Sequence, residues 1–523
     1  VTAAQGTNPG SRNLILAAMV FAVAMTFIDQ TIVAIAVPKL QRELGISGEG
    51  AQWVINGYLL SLSALFAFGG RLGDVLGRRR MVVIGVAVFA VASACCGLTP
   101  KGAIAETWLI FFRIVQGAGA ALMFPASVAI VIAAFPVSQR GRAMAIFFGI
   151  TGGLTAIGPL AGGFLTQWTW RAIFWVNIPV AIIALVLIRI SKPDNEKRPS
   201  KLDYRGTVLI CGAMGLIVLG LQQSSVWGWS SPATWACLVV GAALMVAFVL
   251  WELRGAEVPL LRLKIFENRS FSVDNLALLL MSFVFVPYFF FASVYAQVSL
   301  GKSASEAGVY LLYFFVGFVV LAQIGGRILD RRGARPAVVL GSAMSAVGFY
   351  LLAKRLPDLS LEQQKWSILL AGGGIGLMLG PASTDAVNRA PSTNYSEVTG
   401  ITQTVRNFGA SLGLAILGTI LIERDKTNVA NTLRAKGVPG PRADHIASQV
   451  GTSSSGSLGG GNSTATHAIR LATAHATSTV FQVMAAVLAV CFVLTFLLYP
   501  RGRAEEKPAL TAAEHESAAP LAG

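Results

Sequence analysis

Apolar runs of about 18 residues or more recur from one end of this chain to the other, and each is long enough to cross a hydrocarbon core of about 30 Å as a helix. A lipid interior offers no water to a free backbone N–H or C=O, so such segments satisfy their own hydrogen bonds. Of the 523 residues, 54% are hydrophobic and only 13% are charged, whereas a soluble domain is about a quarter charged. Almost no chain is left over for a soluble domain. The expected fold is all-α and integral to the membrane, with fourteen transmembrane helices.

A short charged hairpin appears twice between these runs. Gly70-Arg71-Leu72-Gly73-Asp74-Val75-Leu76-Gly77-Arg78-Arg79-Arg80 and Gly326-Arg327-Ile328-Leu329-Asp330-Arg331-Arg332-Gly333-Ala334-Arg335 share the pattern G-R-[LI]-x-D-x-x-G with Arg close behind, about 256 residues apart. The same offset relates Phe124-Pro125-Ala126-Ser127 to Gly380-Pro381-Ala382-Ser383, and Gly153 and Gly162 to Gly409 and Gly418. Matches at one offset predict a duplication, a common device of secondary transporters. Two pseudo-symmetric six-helix bundles are expected at 14–190 and 272–499, with two inserted central helices at 207–251. A cytoplasmic N-terminus (1–13), linker (191–206), loop (252–271) and tail (500–523) complete the chain. Residues 423–476, with Ser- and Gly-rich stretches, read as a long extracytoplasmic loop without a core of its own.

An even number of spans places both termini on one side. Loops 71–80, 135–142, 189–206, 252–271 and 327–335 concentrate Lys and Arg, and the loops opposite hold few. The positive-inside rule then puts both termini in the cytoplasm, with the chain in a cell (inner or plasma) membrane. The formal charge of +16 fits this asymmetry; basic residues scattered over short loops do not make a nucleic-acid face. The first apolar run carries no small-residue cleavage site and reads as a span. All five Cys fall within apolar spans, and neither they nor the four His have metal or disulfide spacing. Gly301-Lys302-Ser303 resembles the end of a phosphate loop, but Ala296 stands where its first Gly belongs. Neither an enzyme nor a cofactor or metal is expected. With no ATP-hydrolysing module, the energy has to come from an ion gradient.

An ionisable group inside a span is costly and is a functional candidate by default. Asp29 lies in the first span and Arg113 in the fourth, each about seven residues below the outer end, or roughly 10 Å deep at about 1.5 Å per residue. Matched depth and opposite charge predict a pair, direct or through water. At the repeat offset, Asp29 corresponds to Phe285 and Arg113 to Leu369. The second bundle is thus built without either charge, which argues for function over packing, with a purely structural ion pair as the alternative. Gly158-Pro159-Leu160-Ala161-Gly162-Gly163 in the fifth span allows close helix approach and a kink. The ninth span is rich in aromatics, some expected to face lipid and others to meet flat, apolar or cationic ligands. Its Phe285, Tyr288, Phe289 and Gln297, together with Gln116 and Arg406, are the substrate-cavity candidates. Asp274 and Asp385, near the cytoplasmic ends of their spans, read as interfacial caps.

These residues resemble the major facilitator superfamily, in its fourteen-span drug:proton antiporter branch, over nearly all of residues 14–499. The first hairpin fits that family's loop motif. Leu109, Arg113, Gln116, Gly117, Gly119, Ala120 and Ala121 fit its fourth-span motif. Asp29, Thr31, Ile32, Val33, Ala36 and Pro38 fit its first-span motif, with Ala34 where Asn is usual. Gly158, Pro159, Gly162 and Gly163 fit its antiporter motif, whose first Gly is Leu154 here. The resemblance implies alternating access, with the bundles rocking about a midplane site. It implies proton transfer at Asp29 and Arg113, and export polarity set by the Gly-Pro motif. It also implies a conformational latch of Gly70, Asp74, Gly77, Arg78 and Arg79 against the other half, echoed by Asp330 and Arg331.

The function expected on these grounds is proton-coupled export of lipophilic, cationic drugs or toxic compounds (multidrug efflux conferring antibiotic resistance), with protonation of Asp29 weakening the hold on a cationic cargo. Two alternatives stay open: export of a lipid or an endogenous metabolite, and a non-transporting receptor or scaffold on the same fold. The expected partners are small lipophilic substrates, protons and the lipid bilayer, not nucleic acid, and a monomer is the default.

Overall fold

The computed structural model describes residues 9–135, 137–193, 202–257, 259–261, 263–388, 395–435, 439–440 and 464–500. The first half comprises α1 (Pro9–Leu44), α2 (Gly48–Leu76), α3 (Arg78–Gly97), α4 (Ala105–Ala134) and α5 (Val137–Trp168), then the short α6 (Ala172–Trp175), continued by α7 (Asn177–Ser191) as one span. An inserted hairpin of α8 (Tyr204–Trp227) and α9 (Pro232–Arg254) follows. The second half comprises α10 (Arg269–Val298), α11 (Ala304–Arg332), α12 (Ala334–Arg355), α13 (Leu361–Asn388), α14 (Tyr395–Ala435) and α15 (Thr464–Leu498). Thirteen described segments are long and apolar enough to cross a membrane, and the 32-residue α5 makes the fourteenth.

The duplication extends to helix starts and to packing. Helices α2, α3 and α4 begin at Gly48, Arg78 and Ala105, and α11, α12 and α13 begin at Ala304, Ala334 and Leu361. Gly69 brings α2 so close to α4 that a Cβ there would lie 2.8 Å from the carbonyl carbon of Ala121; Gly325 does the same between α11 and α13, 2.5 Å from the Leu377 oxygen. The chain reverses at Gly77 (φ +101°) and at Gly333 (φ +83°), conformations open to glycine without steric cost. Both charged hairpins therefore carry Gly at the same place. Their Arg residues mark the basic face of the bundle.

The bundles meet through α2 against α14 and α5 against α11, with α1 against α10 between them. Helix α8 lies along the α2–α14 seam. There the Asn56 amide donates to Gln222 Oε1 at 2.7 Å, and its oxygen accepts from the Ser411 hydroxyl. Gln222 also donates to the Glu49 carbonyl at 3.2 Å. All three side chains are buried, so the inserted hairpin is pinned to both halves by polar groups that have no water to turn to. Asn56→Ala deprives Ser411 and part of the Gln222 amide of a partner and is expected to destabilise by about 1–3 kcal/mol. An unchanged thermal unfolding midpoint would show that this seam is not a point of attachment.

Two expectations are corrected. Residues 423–476 are not loop throughout: α14 runs on to Ala435 and α15 begins at Thr464. The two extensions hold each other, with Thr473 donating to Asp425 at 3.0 Å and Asn428 donating to the Ala472 carbonyl at 3.4 Å. The Ser- and Gly-rich part at 441–463, residues 194–201 of the linker and residues 501–523 of the tail lie outside the described residues. The aromatics of α10 also depart from expectation. Phe283, Phe285, Tyr288, Phe289, Phe290, Phe291 and Tyr295 are all buried. Helix α10 is packed by α1, α11, α13, α14 and α15, which cover these rings.

Candidate functional site

The site grows from a run of small residues in α4. Gly117 and Gly119 follow Arg113, and a Cβ on them would lie 2.5 Å from the Tyr58 carbonyl oxygen of α2 and 2.8 Å from the Phe89 nitrogen of α3. These approaches draw α2 and α3 onto α4 and close water away from Arg113, which is 1% exposed. Two of the three nitrogens of the guanidinium are then engaged. Its Nη1 donates to Asp29 Oδ2 of α1 at 2.5 Å and to Gln116 Oε1 at 2.8 Å, and its Nε donates to the Val54 carbonyl at 2.8 Å. Its plane lies 4.4 Å from the ring centre of Tyr58, a cation–π contact that gains from desolvation. Gln116 sits one turn after Arg113 and donates to Asp29 Oδ1 at 3.0 Å. Both carboxylate oxygens of Asp29 are thereby satisfied, and Asp29 is wholly buried. Tyr58 closes the ring by donating to the Thr26 carbonyl of α1 at 3.4 Å.

This cluster couples to helix packing. Asp29 is flanked by Ile28 and Thr31, against which α5 packs through Gly158: a Cβ there would lie 3.2 Å from the Ile28 carbonyl and would collide with the Thr31 hydroxyl. One turn on, Gly162 faces Ile32, with 2.9 Å to its Cγ1. The neighbouring Gly163 faces the other bundle, 2.8 Å from Ser305 Cα and 3.0 Å from the Ala304 carbonyl of α11. Pro159 falls within α5, and its side chain lies outside the described residues. Gln167 donates to Ser305, and Gln297 of α10 donates to the Ile35 carbonyl of α1 at 3.0 Å. On the face opposite the basic one, the two bundles are thus in contact. Gly163→Val would wedge this contact apart and is expected to cut net export while raising passive leak. Wild-type leak and export in this variant, measured in proteoliposomes, would refute that role.

The remaining predicted residues fall in different places. Gln116 belongs to the Asp29–Arg113 cluster. Phe285, Tyr288 and Phe289 join Phe314, Phe315 and Phe349 in an aromatic core, with Tyr288 stacked on Phe314 at 4.4 Å, and Tyr288 and Phe289 are fully buried in it. Arg406 keeps partial exposure on α14. In the first hairpin Gly70 packs near Pro125, and Arg79 is half-buried. The Asp74 carboxylate accepts from Arg78 of its own hairpin at 3.0 Å, because the turn at Gly77 folds Arg78 back onto it. The reach towards the other half comes instead from Arg71, which donates to the Pro259 carbonyl at 2.9 Å. Asp330 and Arg331 lie exposed on the second hairpin.

Asp274 and Asp385 are not interfacial caps. Both are buried, and the Tyr499 hydroxyl lies between them, beside Asp274 and 3.2 Å from Asp385. Burial first, and then these two carboxylates, push the Tyr499 phenol well above its ordinary range, so it stays a donor. Sequence reasoning missed Thr26, Val54 and Tyr58. Two of them contribute backbone carbonyls, which no residue type advertises, and Tyr58 is one aromatic among many. Asp29 itself has no face open to its surroundings.

Comparison with known proteins places this architecture. The chain is 35% identical over 438 residues to the tetracenomycin C resistance and export protein of Streptomyces glaucescens, covering 82% of this chain and 79% of that one. It is 33% identical over 425 residues to the puromycin resistance protein pur8 of Streptomyces alboniger, covering 80% and 83%. Among solved structures, a bacterial homolog of the human lysosomal transporter Spinster, inward-facing and unoccupied, superposes with a TM-score of 0.64 at 18% identity, over 94% of this chain and 98% of that one. The sequence profile of the Major Facilitator Superfamily matches residues 19–414, a stretch that holds the Asp29–Arg113–Gln116 cluster, both charged hairpins and the glycines of α5; the chain belongs to that superfamily.

Proposed function

We propose that this protein exports small lipophilic toxic compounds across the cell membrane in exchange for protons, by alternating access, with the basic face and both termini in the cytoplasm. One observation carries the coupling: a buried Asp29–Arg113–Gln116 cluster lies directly beside the α1–α5 contact, and α5 in turn meets α11 of the other bundle. Two opposite charges held in a dry site depend strongly on each other. A proton arriving on Asp29 removes the charge that holds Arg113, and the guanidinium keeps only its neutral acceptors, the Val54 carbonyl and Gln116. Such a change repacks α1 where Gly158 and Gly162 rest on it, which links protonation to the seat of one bundle on the other. The names of the relatives, for resistance to and export of antibiotics, support the cargo class. The Lys and Arg bias of the loops supports the orientation.

The test is purified protein in proteoliposomes with an imposed pH gradient and a panel of lipophilic drugs and dyes. Accumulation should follow the direction of the gradient and collapse when a protonophore dissipates it. Equal movement with and without the gradient would remove proton coupling from the proposal, and no substrate-dependent movement at all would favour a receptor or scaffold.

A further inference from the structure

Arg406 is a second cation within a membrane-spanning helix, and it differs from Arg113 in having no anionic partner among the described residues. Its Nη1 donates to Gln403 Oε1 at 2.9 Å, and its Nε is buried with no acceptor. Among the described residues no carboxylate lies within 4.0 Å of it. A guanidinium in the membrane interior without an anion is costly. Fold architecture does not demand it: the repeat offset pairs Arg406 with Ile150.

The packing of α14 shows what this cation faces. From Val398 to Ile422 no described residue of α14 is exposed, and Arg406 and Asn407 keep partial exposure. Ser411 and the Thr404 carbonyl bond to α2. Gly409 and Gly413 abut Leu279 and Phe283 of α10. Helices α2 and α10 belong to opposite bundles, and Gln403, Arg406 and Asn407 occupy the sector between these two contacts, as the helical period requires. The register of Gly409 on Leu279 sets Arg406 level with Leu276, the one large apolar side chain of α10 that is exposed among the described residues. An unpaired guanidinium beside an apolar wall suits one ligand type, an acidic oxygen carried on an apolar body. The one carboxylate of the coupling cluster, Asp29, is already consumed by Arg113 and Gln116 and offers nothing to a cation.

We infer that Arg406 is a cargo-binding residue that selects lipophilic acids, holding a carboxylate or phenolate between the two bundles while the cargo's apolar body rests on Leu276. Guanidinium binds such oxygens through paired, charge-assisted hydrogen bonds. The transport arm of the test rests on the export reading above; the binding arm does not.

The probes are 1-pyrenebutyric acid and its methyl ester, titrated by fluorescence into purified wild type, Arg406→Gln and Arg406→Lys, and then followed in proteoliposomes. Wild type should prefer the acid. Arg406→Gln should weaken acid binding about tenfold or more, the worth of a charged hydrogen bond, and leave the ester unchanged. Arg406→Lys should keep part of the preference, since it retains the charge and loses the fork. Failure of the wild type to prefer the acid, or equal loss of acid and ester in both variants, would overturn the inference. Arg406-dependent acid binding without gradient-driven movement would leave it standing and defeat the export reading. Gradient-driven movement of both probes without dependence on Arg406 would do the reverse.

Discussion

Asp29→Asn is expected to abolish gradient-driven export and, alone, to destabilise the protein by about 3–5 kcal/mol, because it leaves Arg113 buried without its counter-charge. Arg113→Gln should cost a similar amount from the other side, stranding the Asp29 carboxylate. The double substitution Asp29→Asn/Arg113→Gln is the decisive variant. It removes both charges from a site where 0% and 1% exposure leave no water to solvate either, so the thermal midpoint should recover much of the loss. Export driven by a pH gradient should not recover, since no group is left to exchange the proton. Downhill exchange of cargo, which needs rocking of the bundles but no proton, should persist. Gradient-driven export in Asp29→Asn at the wild-type level would end the coupling role. A double variant no more stable than the single ones would show that packing of the side chains, not their charge, sets the cost.

Gly69→Val and Gly325→Val are expected to prevent assembly of their respective bundles. Each glycine holds two helices at backbone contact, and the obstructing atoms belong to the main chain at Ala121 and Leu377. A side chain can swing aside; a helix backbone cannot without carrying its neighbours. The penalty should therefore sit at or above about 3 kcal/mol, the upper end of ordinary overpacking. Without a hydrophobic driving force between helices in lipid, little remains to offset it. Monodisperse protein by size exclusion and its thermal midpoint are the measurements. Gly380→Ala serves as the control, since nothing lies within 4 Å of a Cβ there. Glycine inside a helix is also about 1 kcal/mol worse than alanine. Normal yield of Gly69→Val, or collapse of Gly380→Ala, would contradict close packing as the constraint.

Most of the architecture was legible in the sequence because the lipid interior allows few options. Long apolar runs become helices, and a charged hairpin repeated at one offset places two copies of one bundle. The structure keeps that offset in the starts of three successive helices. Span ends were less legible. The extensions of α14 and α15 are stabilised by Asp425, Asn428 and Thr473 contacting across a long stretch of sequence, which no local pattern encodes. The aromatics of α10 misled for a related reason. Hydropathy reports that a ring avoids water and is silent on whether lipid or protein covers it.

Sequence alone determined that Asp29 and Arg113 are matched in depth and absent from the second bundle, since depth follows from helical rise and absence from the repeat. Only the tertiary structure decided what they do with their charges. Gln116 and the Val54 carbonyl complete the buried Asp29–Arg113 pair, whereas Arg406, identical in chemistry, is left without an anion among the described residues. The physical reason is that an ionisable group's role in a membrane is set by the partners within about 4 Å of it, and those partners lie on other helices.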